Sequence, residues 1–330
     1  MQLLHPKGKN MNFKILVTRD IAGRGVDLLK QTGSSVEVPS EDRPLPRPEL
    51  LTRAKGVHAI LAMLSDRIDA ELMDAAGPQL KIVSNYAVGY DNIDLAEAKK
   101  RNIRITNTPG VLTDATAELA WALLFAAARN VIPADHCVRQ GQWCGWGPKQ
   151  FLGYQLSGQT LGVIGTGRIG TSFALKSSGF GMKVLYYARR ENEVLNDRLA
   201  AKRCDLETLL RESDFISLHL PLTPETRYLL SRERLSLLKP TAIVINTARG
   251  PIIEEDALAD LLAQGKIVAA GLDVYEKEPT VNPKLLTLPN VVLLPHLGSA
   301  TFTTRAIMAE TAAQAIIDCL NGQQPKHIVV

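Results

Sequence analysis

A chain of 330 residues with 45% hydrophobic and 22% charged residues is long enough for two compact domains and too apolar to stay disordered. Its formal charge of +4 is carried by scattered basic residues, which excludes a phosphate-tracking stripe for nucleic acid. Cys137, Cys144, Cys204 and Cys319 form no CxxC pair and have no histidine at ligand spacing, so reduced thiols in a cytoplasmic protein and no metal site are expected.

The residues before Met11 read as a polar extension, because the first strand pattern begins near Phe13. No apolar stretch with a small-residue cleavage site opens the chain and no run of about 18 apolar residues occurs, so neither secretion nor membrane spanning is expected. Short apolar runs then alternate with helical patterns: FKILVT at 13–18, HAILAML at 58–64, KIVSNYAV at 81–88 and IRITNT at 103–108. This alternation predicts a parallel sheet wrapped by helices. From Asp114 to Arg129 the chain is rich in Ala and Leu without Gly or Pro, which predicts a long helix buried on most sides. Residues 140–158, QGQWCGWGPKQFLGYQLSG, predict a loop through their glycines and Pro148. A second sheet follows from TLGVIG at 160–165, KVLYYA at 183–188, FISLHL at 215–220, AIVINTA at 242–248, VAAGLDV at 268–274 and VVLLPH at 291–296. The tail from Thr303 to Leu320 has an amphipathic helical pattern and is expected to return to the first domain.

Gly165, Gly167 and Gly170 spell GTGRIG after a strand and before a helical pattern. In that context the first glycine permits a tight turn, the second lets backbone approach a pyrophosphate, and the third allows close helix packing. A glycine-rich turn is the bland reading; the flanking strands favour dinucleotide binding. An NAD site normally carries an acidic residue about 20 positions further on, where it holds the ribose 2′-hydroxyl. Here Ala188 occupies that place, followed by Arg189 and Arg190. Adjacent guanidiniums grip a 2′-phosphate well, so NADP(H) is expected as the preferred cofactor, with NAD(H) second. Two arginines that merely end a strand are the competing reading.

Three later motifs carry the remaining chemistry: NTARG with Arg249, DVYEKEP with Asp273 and Glu278, and PHLGSAT with His296. Singly, each residue has a structural explanation. Together, and in this order after the glycine turn, they resemble the D-isomer-specific 2-hydroxyacid dehydrogenase family, over nearly the whole chain from about Phe13. The resemblance implies that Arg249 pairs with a substrate carboxylate, that His296 donates a proton to the keto oxygen, and that Glu278 orients the imidazole. It places backbone amides of Val88 and Gly89, in NYAVGYDNID, on the same carboxylate. As cofactor contacts it implies Thr113, Arg168, Ile169, Pro221, Thr226, Thr247, Ala248, Asp273, Gly298 and Ser299 beside the glycines. Helix capping alone would also explain Thr113.

The implied fold is α/β with two doubly wound parallel-sheet domains: a Rossmann cofactor domain at 112–301 inserted into a flavodoxin-like substrate domain built from 1–111 and 302–330. Catalysis is expected in the cleft, after hinge closure. The loop around Trp146 resembles that of glyoxylate and hydroxypyruvate reductases, in which a tryptophan reaches the neighbouring subunit's site; packing of a dimer interface explains it equally well. The resulting expectation is an NADPH-preferring reductase of small 2-keto acids, glyoxylate or hydroxypyruvate first, acting as a homodimer through 112–152. Two alternatives stand beside it: a 2-ketogluconate reductase, and a corepressor-like protein that senses the nucleotide without turning it over.

Overall fold

The structure, a computed structural model, describes residues 13–330; the extension expected before Met11 lies outside them. The chain divides into two compact units, one ending at Leu112 and resuming over Ala300–Val330, the other spanning Thr113–Ser299.

The first unit is a five-stranded parallel sheet of β1 (Lys14–Val17), β2 (Ser35–Glu37), β3 (Ala59–Ala62), β4 (Ile82–Asn85) and β5 (Arg104–Thr106), in the order β2-β1-β3-β4-β5. Every residue of β3 and β4 is buried, as expected of parallel strands covered on both faces. Alternate residues divide between those faces. Leu16, Ile60, Val83 and Ile105 share a core with Leu50, Leu72 and Ala98 from the helices Arg47–Arg53, Ala70–Ala76 and Leu95–Lys100. The helices Gly25–Gln31 and Phe302–Leu320 lie so close that a Cβ on Gly25 would stand 2.7 Å from the carbonyl oxygen of Ala309. The tail then follows β5, with Val329 donating to Ile105 at 2.7 Å. The edge strand β2 was not predicted, because Ser-Val-Glu is too short and too polar to show an apolar run.

The second unit is a seven-stranded parallel sheet of β6 (Thr160–Ile164), β7 (Lys183–Tyr187), β8 (Lys202–Arg203), β9 (Phe215–Leu218), β10 (Ile243–Asn246), β11 (Ala269–Leu272) and β12 (Val291–Leu293). Its order is β12-β11-β10-β9-β6-β7-β8. The order reverses between β6 and β9, and a crevice opens at such a switch point beyond the carboxyl ends of the strands. The fold is therefore the doubly wound α/β arrangement in both units. The predicted long helix runs Thr113–Ala128, and Trp121 within it donates its indole N–H to the Phe173 carbonyl at 3.0 Å. Gly271 in β11 allows this helix to lie on the sheet, since a Cβ there would meet Leu123 at 3.0 Å.

Two elements of this unit were not predicted: β8, which is only Lys-Arg at the sheet edge, and the helix Val131–Arg139, which buries none of its residues. Neither carries the apolar periodicity that burial imposes. Among the described residues no single helix is long and apolar enough to cross a membrane; the bent pair Thr113–Ala128 and Val131–Arg139 meets the length and composition together.

Candidate active site

The glycine turn follows β6. Gly165 adopts φ +93°, a left-handed conformation, and a Cβ there would lie 2.7 Å from the His219 carbonyl oxygen. A Cβ on Gly170 would stand 1.9 Å from Gly165 O, so any side chain would push the helix Arg168–Lys176 off the turn. Gly167, at the N-cap of that nine-residue helix, faces open space. The two outer glycines are thus required by packing, and the middle one leaves room where free helix N–H groups favour an anion. Arg168 is exposed beside it and Ile169 packs inward. His219, half-buried beneath the turn, is pushed down to about 3 by burial and stays neutral, with its Nε2 2.9 Å from Ser217 Oγ.

Beyond β7 the arginine pair is exposed, and Arg203 of β8 secures its backbone by donating to Ala188 O at 2.9 Å and Arg189 O at 3.2 Å. Glu191, the next acid along, accepts from Tyr186 Oη at 2.7 Å and from Asn196 at 3.1 Å. Those hydrogen bonds hold its carboxyl below the usual range. The turn therefore presents guanidiniums, with the Glu191 carboxylate engaged by Tyr186. After β9, Thr226 donates to Pro221 O at 2.7 Å and accepts from Thr223 N at 2.8 Å, which closes that loop.

Arg249, Glu278 and His296 follow the carboxyl ends of β10, β11 and β12. Asn246 shapes the first turn: its amide donates to Arg249 O at 2.9 Å and its oxygen accepts from Ala248 N at 3.0 Å. Thr247 between them has a buried hydroxyl with no hydrogen-bond partner among the described residues, a polar atom suited to a bound ligand. Glu278 accepts from Tyr275 N at 3.0 Å through one oxygen, and its other oxygen lies 2.8 Å from His296 Nδ1. Burial pushes the Glu278 carboxyl up, but the His296 hydrogen bond and charge, with the Arg249 charge, outweigh it and hold the group below its ordinary value. With Nδ1 engaged, Nε2 is the ring nitrogen left to face a substrate.

The backbone of His296 is set by Asp273. The carboxylate accepts from Leu297 N at 2.6 Å and Gly298 N at 2.8 Å, and the Asp273 carbonyl accepts from His296 N at 2.9 Å. His296 takes φ +57°, uncommon for a residue with a side chain, and Thr116 holds the far side by donating to Gly298 O at 3.0 Å. Burial pushes the Asp273 carboxyl up, with the two amides and the His296 charge opposing it. Ser299 follows, half-buried. The structure thus gathers the glycine turn, the arginine pair, Pro221 and Thr226, Thr247 to Arg249, Asp273, Glu278 and His296 to Ser299 at one edge of one sheet. Thr113 starts the long helix of that unit, Trp146 is 84% exposed on its loop, and Val88 and Gly89 belong to the other unit.

Comparison with known proteins gives this arrangement a family. The profile described as D-isomer specific 2-hydroxyacid dehydrogenase, NAD binding domain, matches residues 121–298. A glyoxylate reductase of Thermococcus kodakarensis is 50% identical over 323 residues, covering 97% of this chain and 96% of that one. The chain belongs to the D-isomer-specific 2-hydroxyacid dehydrogenases. Among solved structures, a Thermus thermophilus protein superposes on this dehydrogenase with a TM-score of 0.90 at 46% identity, covering 96% of this chain and all of that one. An NADPH-dependent glyoxylate/hydroxypyruvate reductase of Sinorhizobium meliloti, solved with NADP and malonate, has a TM-score of 0.83 at 32% identity, covering 97% of each chain.

The dehydrogenase is a nicotinamide-dependent oxidoreductase, and its residues fit that group. The open space at Gly167 suits a pyrophosphate, and the unpartnered Thr247 hydroxyl sits at the carboxyl end of the central sheet. Sequence reasoning missed Gly250, Asn246 and Thr116 as organisers of the site, and it missed that Asp273 grips the Leu297 and Gly298 amides. Only the Gly after Arg249 left a visible signal, in the Arg-Gly pair.

Proposed function

We propose that this dehydrogenase reduces glyoxylate, and hydroxypyruvate as a second small 2-keto acid, to the corresponding 2-hydroxy acid with NADPH as the preferred reductant. The observation that carries the reading is the 2.8 Å contact between His296 Nδ1 and Glu278 Oε2, close enough to Arg249 for its charge to act on the same carboxyl. The names of the relatives support the substrate, and the exposed Arg189–Arg190 turn supports the cofactor.

When bound, the reduced nicotinamide supplies a hydride to the carbonyl carbon. Arg249 pairs with the substrate carboxylate and polarises the carbonyl, a task for which a planar, permanently charged fork is suited. The Val88 and Gly89 amides are donors suited to a substrate carboxylate. His296, as imidazolium, gives the Nε2 proton to the carbonyl oxygen as negative charge develops there. Glu278 holds the ring through Nδ1 and stabilises its positive charge before transfer. Arg189 and Arg190 take the 2′-phosphate, Gly165, Gly167, Arg168, Ile169 and Gly170 the pyrophosphate, Pro221 and Thr226 the adenosine side, and Thr113, Thr247, Ala248, Asp273, Gly298 and Ser299 the nicotinamide half. Val131, Ile132, Val138, Trp143, Trp146 and Leu152 expose an apolar face on one helix and the loop beyond it, which supports a homodimer with Trp146 at the shared interface.

The test is consumption of NADPH and of NADH with glyoxylate, hydroxypyruvate, 2-ketogluconate and pyruvate. Glyoxylate with NADPH is expected to give the highest kcat/KM. A higher value with 2-ketogluconate would replace the substrate assignment, and no turnover with any of the four would replace catalysis by nucleotide sensing.

A further inference from the structure

The segment after β4 has three successive peptide carbonyls, each held by a donor. Ala87 O accepts from Thr108 N at 2.9 Å, Val88 O from Asn107 Nδ2 at 2.8 Å, and Gly89 O from Asn85 Nδ2 at 2.8 Å. In a planar trans peptide the N–H points opposite to the C=O. Pinning these carbonyls therefore turns the N–H groups of Val88, Gly89 and Tyr90 away from the donors. Among the described residues the Val88 and Gly89 N–H groups have no acceptor, although both residues are half-buried.

Asn85 is completely buried and Asn107 is 9% exposed. Asn85 is held in turn by Asn92, which accepts from it at 3.2 Å and donates to Asp66 O at 3.0 Å and Met63 O at 3.2 Å in the loop after β3. The asparagines present neutral donors to carbonyl oxygens and leave successive N–H groups without a protein acceptor, and successive backbone N–H groups are the kind of donor set that binds anions.

We propose that Asn107 and Asn85 are positioning residues for the substrate. The Asn107 amide holds the Val88 carbonyl so that the Gly89 N–H, beside the Val88 N–H set by the Thr108 backbone, is offered to the substrate carboxylate, and Asn85 does the same for the next N–H, that of Tyr90. The inference rests on the proposed role of Val88 and Gly89. If the Val88 peptide rotates once its clamp is lost, a carbonyl oxygen replaces an N–H and repels the carboxylate.

The test uses the full-length enzyme with saturating NADPH, glyoxylate as substrate and oxalate as inhibitor, comparing the wild type with Asn107→Asp, which keeps the shape and removes the donor, and Asn107→Ala. Loss of one hydrogen bond to a charged group is expected to raise the glyoxylate KM and the oxalate inhibition constant together by about 10- to 100-fold. The NADPH KM and kcat should stay within about threefold, since only ground-state carboxylate binding is lost. Unchanged glyoxylate KM and oxalate inhibition in a folded variant would overturn the inference, as would equal changes in kcat and NADPH KM. Should neither variant fold, amide hydrogen exchange on the wild type with NADP decides: oxalate must slow exchange at Val88 and Gly89, and unaltered exchange there overturns the inference. A wild type that neither reduces glyoxylate nor binds oxalate would instead overturn the proposed function.

Discussion

Gly250 lies directly on the backbone of Tyr275: a Cβ on the glycine would stand 1.9 Å from the Tyr275 carbonyl carbon and 2.4 Å from Glu276 N. The turn that carries Arg249 and the loop that carries Glu278 are therefore in backbone contact, and no side chain larger than hydrogen fits between them. Gly250→Ala must separate the two loops. Because displacement of about 1 Å at a reacting centre costs on the order of 100-fold, kcat/KM for the keto acid should fall by about that factor while helix content and cofactor binding persist. Steady-state kinetics with circular dichroism checks this, and an undiminished kcat/KM would show that the position of Arg249 does not depend on the contact.

Removing the proton donor should separate chemistry from binding. His296→Ala is expected to lower kcat by about 100- to 10,000-fold, the usual contribution of a positioned acid, with the NADPH dissociation constant unchanged in a fluorescence titration. An active His296→Ala enzyme would assign the proton to another group.

The Glu278 carboxyl predicts an acid dependence of stability. Its folded value is lowered from 4.5, so the stability it contributes is complete above that value and is lost as pH falls through the lower folded one. Melting temperatures of wild type and Glu278→Gln should differ most near neutral pH, and the gap should narrow below about pH 4. A gap independent of pH would mean that the glutamine disturbs packing rather than removing a charge.

The arginine turn predicts cofactor choice. Arg189→Ala combined with Arg190→Ala is expected to raise the NADPH KM by about 10- to 100-fold through lost charge-assisted hydrogen bonds and to leave the NADH KM nearly unchanged. Equal changes for both cofactors would place the guanidiniums away from the 2′-phosphate.

Most of the strands and the two long helices were legible because burial writes itself into sequence: β3, β4, β9, β10 and β11 are buried at every position, so each is mainly apolar, with Ser84, Asn85, Ser217 and Asn246 as the polar residues among them. The edge strands β2 and β8 and the helix Val131–Arg139 were not legible, because half-exposed elements tolerate polar residues in any order. The same reasoning separates the site residues. Gly165 and Gly170 announce themselves by spacing, whereas Asn85, Asn107 and Thr116 act through side-chain hydrogen bonds to backbone carbonyls, which leave no pattern.

The amino-acid sequence by itself determined the alternation of strands and helices, the glycine turn, the replacement of an acid by two arginines, and the identities of Arg249, Glu278 and His296, since each depends on residue type and local spacing. Only the tertiary structure decided that Glu278 meets His296 through Nδ1, that Asp273 holds the backbone of the histidine loop, and that Gly250 lets two loops touch. Those facts depend on which strands become neighbours, and strand order follows from burying two sheets at once rather than from any local stretch of chain.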